Sequence, residues 1–228
     1  MKRASMILFA LLLPAAVLPA GRTLRAQNAD QNSSAGASIS FTRVWDAFTP
    51  QSVAVTVSAS GATKYSSSNP GKTGDDVDDF QTEFNMSPGA RDKLFRYAKE
   101  AHYFDGDFSF KKHAVASTGK KTLSYSDAAR HSSTTYDYSE NKAIQEITSI
   151  FAGVSNTIEH GRKLKFLRRF DKLGLEAELK AMENADEGHN LAELKIIAPT
   201  LESIAEDSTV LNIARQRAKK LASKANSE

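Results

Sequence analysis

The chain has 228 residues, carries 30 Lys and Arg against 27 Asp and Glu, and contains no cysteine. The absence of cysteine excludes disulfides, thiolate metal sites and cysteine nucleophiles. A chain of this length can still bury a core, because a domain of about 150 residues already removes roughly 70% of its unfolded surface from solvent.

The N-terminus has the pattern of a secretory signal. Lys2 and Arg3 precede an apolar run over residues 6–18, and Ala26 is followed by a polar stretch. A basic start, a short apolar segment and a small residue before the cut are the three parts of a signal peptide. The pattern therefore predicts a signal peptide over residues 1–26, and an exported protein that is periplasmic or extracellular.

A membrane anchor is the competing interpretation of this segment. A spanning helix needs about 20 consecutive apolar residues, and Pro14, Pro19 and Arg22 interrupt the run too early. We expect no transmembrane helix in the mature chain, with cleavage after Ala26 or, alternatively, after Ala20.

Removal of the signal changes the charge of the protein. Four of the 30 cations lie in it, which leaves 26 basic against 27 acidic residues. Affinity for nucleic acid depends on cations that displace counterions from phosphate. We therefore expect no nucleic-acid partner.

The first half of the mature chain shows a strand pattern. Residues 27–40 are polar and small, which predicts a flexible lead-in. Val53, Val55 and Val57 alternate with less apolar residues, as in a half-buried strand, and a second short strand follows around Tyr65. Further alternation predicts strands over 80–86, 121–126 and 131–138.

Two helices interrupt these strands. Ser87-Pro88 has the pattern of a helix start, since Ser caps free amides and Pro suits the first helical position; this helix is expected to end near His102. A longer helix begins near Asn141, because isoleucine, phenylalanine and valine recur at three- and four-residue intervals from Ile144 to Ile158.

Beyond residue 160 only helical patterns remain, with Ser208 expected to cap the last helix. The fold class predicted is α+β, a small antiparallel sheet covered by two helices and followed by a C-terminal helical hairpin or bundle. The expected division is an α+β domain over 41–160 and a helical region over 161–228.

The order of these features resembles a family of uncharacterised exported bacterial proteins that pair a small α+β domain with trailing helices. The resemblance covers about Val53 to Glu159 and includes Ser60-Gly61, the Ser87-Pro88 helix ending in His102-Tyr103-Phe104, and Thr118-Gly119-Lys120 ahead of a strand. It implies the fold and export, and it assigns no catalytic residue.

Catalytic candidates are few. His102 with Asp105 and Asp107 is the best local grouping of titratable side chains, and it would serve a hydrolase if the three converged on a polar pocket. The alternative is structural, a helix end that packs Tyr103 and Phe104 under the sheet.

Metal and cofactor sites have weaker signals. The carboxylates of Asp75, Asp76, Asp78 and Asp79 could offer oxygen ligands to calcium, but the central glycine and closing glutamate of a calcium loop are missing. A solvated loop is the alternative, and we expect no cofactor.

The densest basic segment lies between the two predicted regions. Its cations are Arg162, Lys163, Lys165, Arg168, Arg169 and Lys172. Interleaved Leu and Phe would suit an anionic membrane surface or an acidic partner, whereas the alternative is an amphipathic connector with cations at a helix C-terminus.

These observations favour an exported, soluble, non-enzymatic binding or interaction module, with an envelope protein as a candidate partner. A periplasmic or secreted hydrolase and a peripheral membrane-surface binder that uses residues 162–172 stay as alternatives.

Overall fold

The computed structural model describes residues 36–69, 79–113 and 115–227. Six strands form one antiparallel sheet in the order β4-β3-β2-β1-β5-β6. Their bounds are β1 Ser38–Val44, β2 Ser52–Ser58, β3 Ala62–Ser68, β4 Phe80–Asn85, β5 Lys120–Ser126 and β6 His131–Tyr136. The predicted α+β class with an antiparallel sheet is confirmed. The predicted signal peptide over 1–26 lies outside the described residues.

Strand β1 was not predicted, and it is a central strand of the sheet, paired with β2 on one side and β5 on the other. Its residues Ser38 to Ser40 fall in the predicted lead-in over 27–40, so that prediction is wrong for these residues. Ile39 and Phe41 are buried. The alternation of Ile39 and Phe41 with Ser and Thr is a strand pattern. The strand has so few apolar residues that this pattern is hard to tell from the polar segment before it.

Two helices cover one face of the sheet. Helix α1 spans Pro88–Glu100 and α2 spans Lys142–Phe170. Ser87 Oγ accepts a hydrogen bond from the amide of Ala90, as the cap pattern predicts. The core between helices and sheet includes Phe41 and Phe151, whose rings stack with centroids 5.3 Å apart.

The C-terminal region is helical, as predicted. It contains α3 Gly174–Glu187, a 3₁₀ turn Leu194–Ile197, α4 Ala198–Glu206 and α5 Asn212–Ala225. Leu164 and Leu167 of α2 belong to the core of this region, so the predicted division between residues 160 and 161 falls inside one continuous helix. Gly161 lets Ile197 approach closely, because a Cβ there would lie 2.4 Å from Cγ2 of Ile197.

The expected cap of the last helix is wrong. The helix begins after Leu211, and no side chain caps it. Within the described ranges, no helix is both long and apolar enough to cross a bilayer.

Candidate functional site

The helix-covered face of the sheet changes from apolar to charged toward one end of its strands. One row across the strands contains Tyr65, Val55, Phe41 and Leu123. The row two residues further along contains Phe80, Ser67, Val53, Arg43, Lys121 and Tyr136. Arg43 of β1 and Lys121 of β5 are thus cross-strand neighbours. Both occupy positions where the alternating pattern of a strand predicts an apolar side chain.

Arg43 occupies an unusual environment for a guanidinium. Its Nε is buried and has no hydrogen-bond partner among the described residues. Burial lowers the pKa of Arg43, against the attraction of Tyr65 and Glu159. The guanidinium carbon lies 4.9 Å from the ring centroid of Phe48. A buried donor without a partner costs free energy, so a group that accepts a hydrogen bond would be stabilised here.

Arg43 lines a cleft of about 850 Å³ between the end of the sheet and helices α2 and α3. Its charged, histidine and phenylalanine lining residues are Arg43, Phe48, Glu159, His160, Arg162, Lys163, Phe166 and Glu178. This volume lies within the range of small-molecule sites in proteins. A ligand of moderate size in this cleft would therefore lie beside the Arg43 side chain.

Glu159 organises one wall of the cleft. Its Oε1 accepts hydrogen bonds from Tyr65 Oη at 2.7 Å and from Ser67 Oγ at 2.8 Å, while its Oε2 accepts one from Arg162 at 2.8 Å. Burial, together with the neighbouring Glu159 carboxylate, raises the pKa of Tyr65. The guanidinium of Arg162 also lies 4.5 Å from the ring centroid of Phe80. The polar groups of this wall are therefore hydrogen-bonded to one another.

Glu178 of α3 organises the opposite wall. His160 Nδ1 lies 2.6 Å from Glu178 Oε1, and Lys163 Nζ lies 2.5 Å from Oε2. A carboxylate can only accept, so Nδ1 carries the proton in this contact. Burial alone would raise the pKa of Glu178, but the hydrogen bonds from His160 and Lys163 outweigh it and hold the pKa below its ordinary value.

The charges of the cleft do not cancel. The carboxylates of Glu159 and Glu178 are paired with Arg162 and Lys163, whereas Arg43 forms no ion pair among the described residues. The positive excess therefore lies at Arg43. A carboxylate or phosphate oxygen has the charge and the acceptor geometry that a guanidinium recognises.

Lys121, the neighbour of Arg43 in the same row, has a hydrogen-bond acceptor for every N–H of its ammonium group. Its Nζ donates to the carbonyls of Thr118, Gly119 and Asp137 at 3.1, 3.0 and 2.8 Å, and lies 2.8 Å from Thr118 Oγ1. Burial lowers the pKa of Lys121. This ammonium has a structural role, because it satisfies backbone carbonyls at the end of the sheet.

The side chains of the predicted catalytic residues form no hydrogen bond or ion pair with one another within the described ranges; the one contact is from the Asp105 amide to the His102 carbonyl, at 3.1 Å. His102, Asp105 and Asp107 are all exposed, and Asp107 instead pairs with Lys111. Phe104 is fully buried, as the structural interpretation of this helix end expects. Across the described residues, no cluster of three or more His, Asp or Glu side chains could hold a metal ion.

The acidic loop predicted as a calcium candidate is mostly outside the described residues. Asp75, Asp76 and Asp78 lie in the gap between residues 69 and 79, and Asp79 is exposed. The calcium site stays a prediction.

The six cations of the basic segment have different surroundings. Arg162 and Lys163 line the cleft, and Arg168 and Lys172 both contact the Asp207 carboxylate. Lys165 and Arg169 are exposed and make no ion pair within the described residues. The cations of this segment therefore belong to two different sites, the cleft and the surroundings of Asp207.

Sequence reasoning did not identify Arg43, Tyr65, Ser67 or Glu159 as site residues. The available signal was in β1, where Ile39 and Phe41 are followed at the next alternate position by Arg43. An arginine at an inward-facing strand position contradicts the pattern of a buried face, and such conflicts concentrate at functional sites.

Comparison with known proteins gives no relative from which a role could be transferred. No protein-family model matches the chain, and no curated protein sequence matches it significantly. A functional assignment therefore depends on the geometry of the cleft.

Proposed function

We propose that the chain is an exported, non-enzymatic binding protein that takes a small organic anion in the cleft beside Arg43. The observation that supports the ligand class is Arg43, a cation that lines the cleft and forms no ion pair within the described residues. An anionic group beside the guanidinium would neutralise a charge that burial disfavours. Export is proposed from the signal pattern of residues 1–26.

The mouth of the cleft favours an anion with an apolar part. Phe48 and Phe166 both line it, and they are 41% and 59% exposed. A ring or chain attached to the anionic group would cover these aromatic faces and gain their burial. A simple inorganic anion would make the contact with Arg43 alone, so we expect it to bind more weakly.

Binding is a better account of the cleft than catalysis. The hydroxyls of Tyr65 and Ser67 both donate to Glu159, and Arg162 holds the other oxygen of that carboxylate. Ser67 is only 3% exposed, which keeps its hydroxyl from a ligand. Nucleophilic catalysis needs a nucleophile that reaches the substrate, and the cleft instead presents a guanidinium.

The proposal is tested by thermal unfolding of the purified full chain with matched small probes. Benzoate and phenyl phosphate at millimolar concentration should raise the Tm by several degrees, because a ligand that binds only the native state stabilises it. Acetate and inorganic phosphate should raise the Tm less. Benzylamine and benzyl alcohol are the controls for charge, and they should leave the Tm unchanged. An equal rise with benzylamine, or no rise with any of the anions, would contradict the proposal.

A further inference from the structure

The end of α2 carries an exposed set of large apolar side chains. Phe166, Phe170 and Leu173 are 59%, 64% and 74% exposed, and we refer to them as the apolar stripe. The spacing of four residues places Phe166 and Phe170 on one side of the helix, and Leu173 lies in the turn that follows the last helical residue. The rings of Phe166 and Phe170 contact each other, with centroids 5.0 Å apart.

The stripe is distinct from the core. Leu164 and Leu167, on the other side of the same helical turns, are buried in the C-terminal helical cluster. Each residue of the stripe keeps more than half of its surface in water. Large apolar groups that lie next to one another at the surface mark an interaction site more often than isolated ones do.

Two exposed cations lie in the same helical turns as the apolar stripe. Lys165 and Arg169 are exposed and form no ion pair within the described residues, and the guanidinium of Arg169 lies 5.0 Å from the ring centroid of Phe170. Asp171 is the one acidic residue between 162 and 173, and its carboxylate accepts a hydrogen bond from the Gly174 amide. The surface around the stripe is therefore basic.

We propose that the apolar stripe docks the protein on an anionic phospholipid surface, with Phe170 and Leu173 inserted among the headgroups and Lys165 and Arg169 near lipid phosphates. Apolar and aromatic side chains beside exposed cations are the combination that binds such interfaces. Three side chains are few for a stable protein partner, which needs about 800 Å² on each side. A bilayer requires only that a few side chains insert.

The test uses a fluorophore whose emission depends on polarity. Because the chain has no cysteine, the variant L173C places a single label in the stripe, and V115C places a matched label at another exposed apolar position. Vesicles with 30% phosphatidylglycerol in phosphatidylcholine should shift the L173C label to the blue. Vesicles of phosphatidylcholine alone should not, and the V115C label should not respond to either.

A charge variant tests the role of the cations. K165Q/R169Q in the L173C chain should raise the lipid concentration for half-maximal response about tenfold or more, because each cation near an anionic surface strengthens binding. In the chain with both cations, 0.5 M NaCl should weaken the response. No shift of the L173C label, the same shift at V115C, or equal response to neutral vesicles would overturn the proposal. None of these variants changes Arg43, so the anion cleft can be tested separately.

Discussion

Arg43 and Lys121 are cross-strand neighbours in one row of the sheet, yet their surroundings differ in kind. The Lys121 ammonium donates to three backbone carbonyls and lies beside a threonine hydroxyl. The Arg43 guanidinium has a buried Nε without a partner among the described residues and faces a cleft. The same type of charge can therefore complete the fold at one position and leave an unsatisfied donor at the next.

The difference has a physical basis. Desolvation of a charge costs several kcal/mol, and only a complete set of partners offsets it. Lys121 has such a set within the protein. Arg43 has only the more distant attraction of Glu159 and Tyr65 and the face of Phe48. We infer that an anionic ligand in the cleft supplies the charge partner that Arg43 lacks within the described residues.

The largest expected effect follows from removing the engaged cation. K121M should lower the free energy of unfolding by about 3 kcal/mol, because it leaves carbonyl groups without a donor in a buried setting. The exposed neighbour gives a matched control: K120M should change stability by less than about 0.5 kcal/mol. Urea unfolding of both variants measures the difference. Equal stability of the two would show that the hydrogen bonds of Lys121 contribute nothing to the free energy of unfolding.

A smaller effect is expected at Glu178, a buried carboxylate that has its partners in place. The pKa of Glu178 in the folded chain is held below the ordinary value. The ionised carboxylate therefore stabilises the fold at a pH above the ordinary carboxyl pKa, and this stabilisation is lost as the pH falls through the lowered pKa of the folded chain. E178Q should therefore cost about 2 kcal/mol at pH 7. This difference should shrink as the pH falls below the ordinary carboxyl range toward the lowered pKa of Glu178.

The control for this pH dependence is E187Q, an exposed acid on the same helix. It should leave the stability profile close to that of the unaltered chain. If the E178Q difference were instead constant across the acid range, the hydrogen bonds from His160 and Lys163 would not favour the ionised form of Glu178.

The smallest effect, with the opposite sign, is expected at Arg43. R43M keeps an unbranched apolar side chain, shorter than that of arginine, and removes the guanidinium with its unsatisfied donor. The free energy of unfolding should stay unchanged or rise by up to about 1 kcal/mol, because replacement of an incompletely paired buried charge by an apolar group is often stabilising. A loss of 2 kcal/mol or more in urea unfolding would show that Arg43, like Lys121, completes the fold.

Much of the fold could be predicted from local patterns. The valine alternation of β2, the Ser87 cap and the apolar periodicity of α2 all predicted elements that the structure contains. Strand β1 was missed because Ser and Thr occupy its outward positions and only Ile39 and Phe41 mark its inner face. These two side chains can be recognised as part of a strand only when the pairing of β1 with β2 and β5 is known.

The candidate site was harder to predict for a different reason. Arg43, Ser67 and Glu159 are far apart in the sequence, and the strand register and the passage of α2 over the sheet bring them to one cleft. Local groupings such as His102 with Asp105 and Asp107 were visible in the sequence, but the structure leaves all three side chains exposed. Proximity in sequence was a poor guide to the polar site.

Calorimetric titration of phenyl phosphate into the unaltered chain and into R43M tests the central claim most directly. The account predicts measurable binding to the unaltered chain, and affinity at least tenfold weaker in R43M although that variant is no less stable. Lys219, an exposed cation of α5, gives the control: K219M should bind as the unaltered chain does. Equal affinity of R43M and K219M would contradict the account, because it would show that the Arg43 guanidinium takes no part in anion binding.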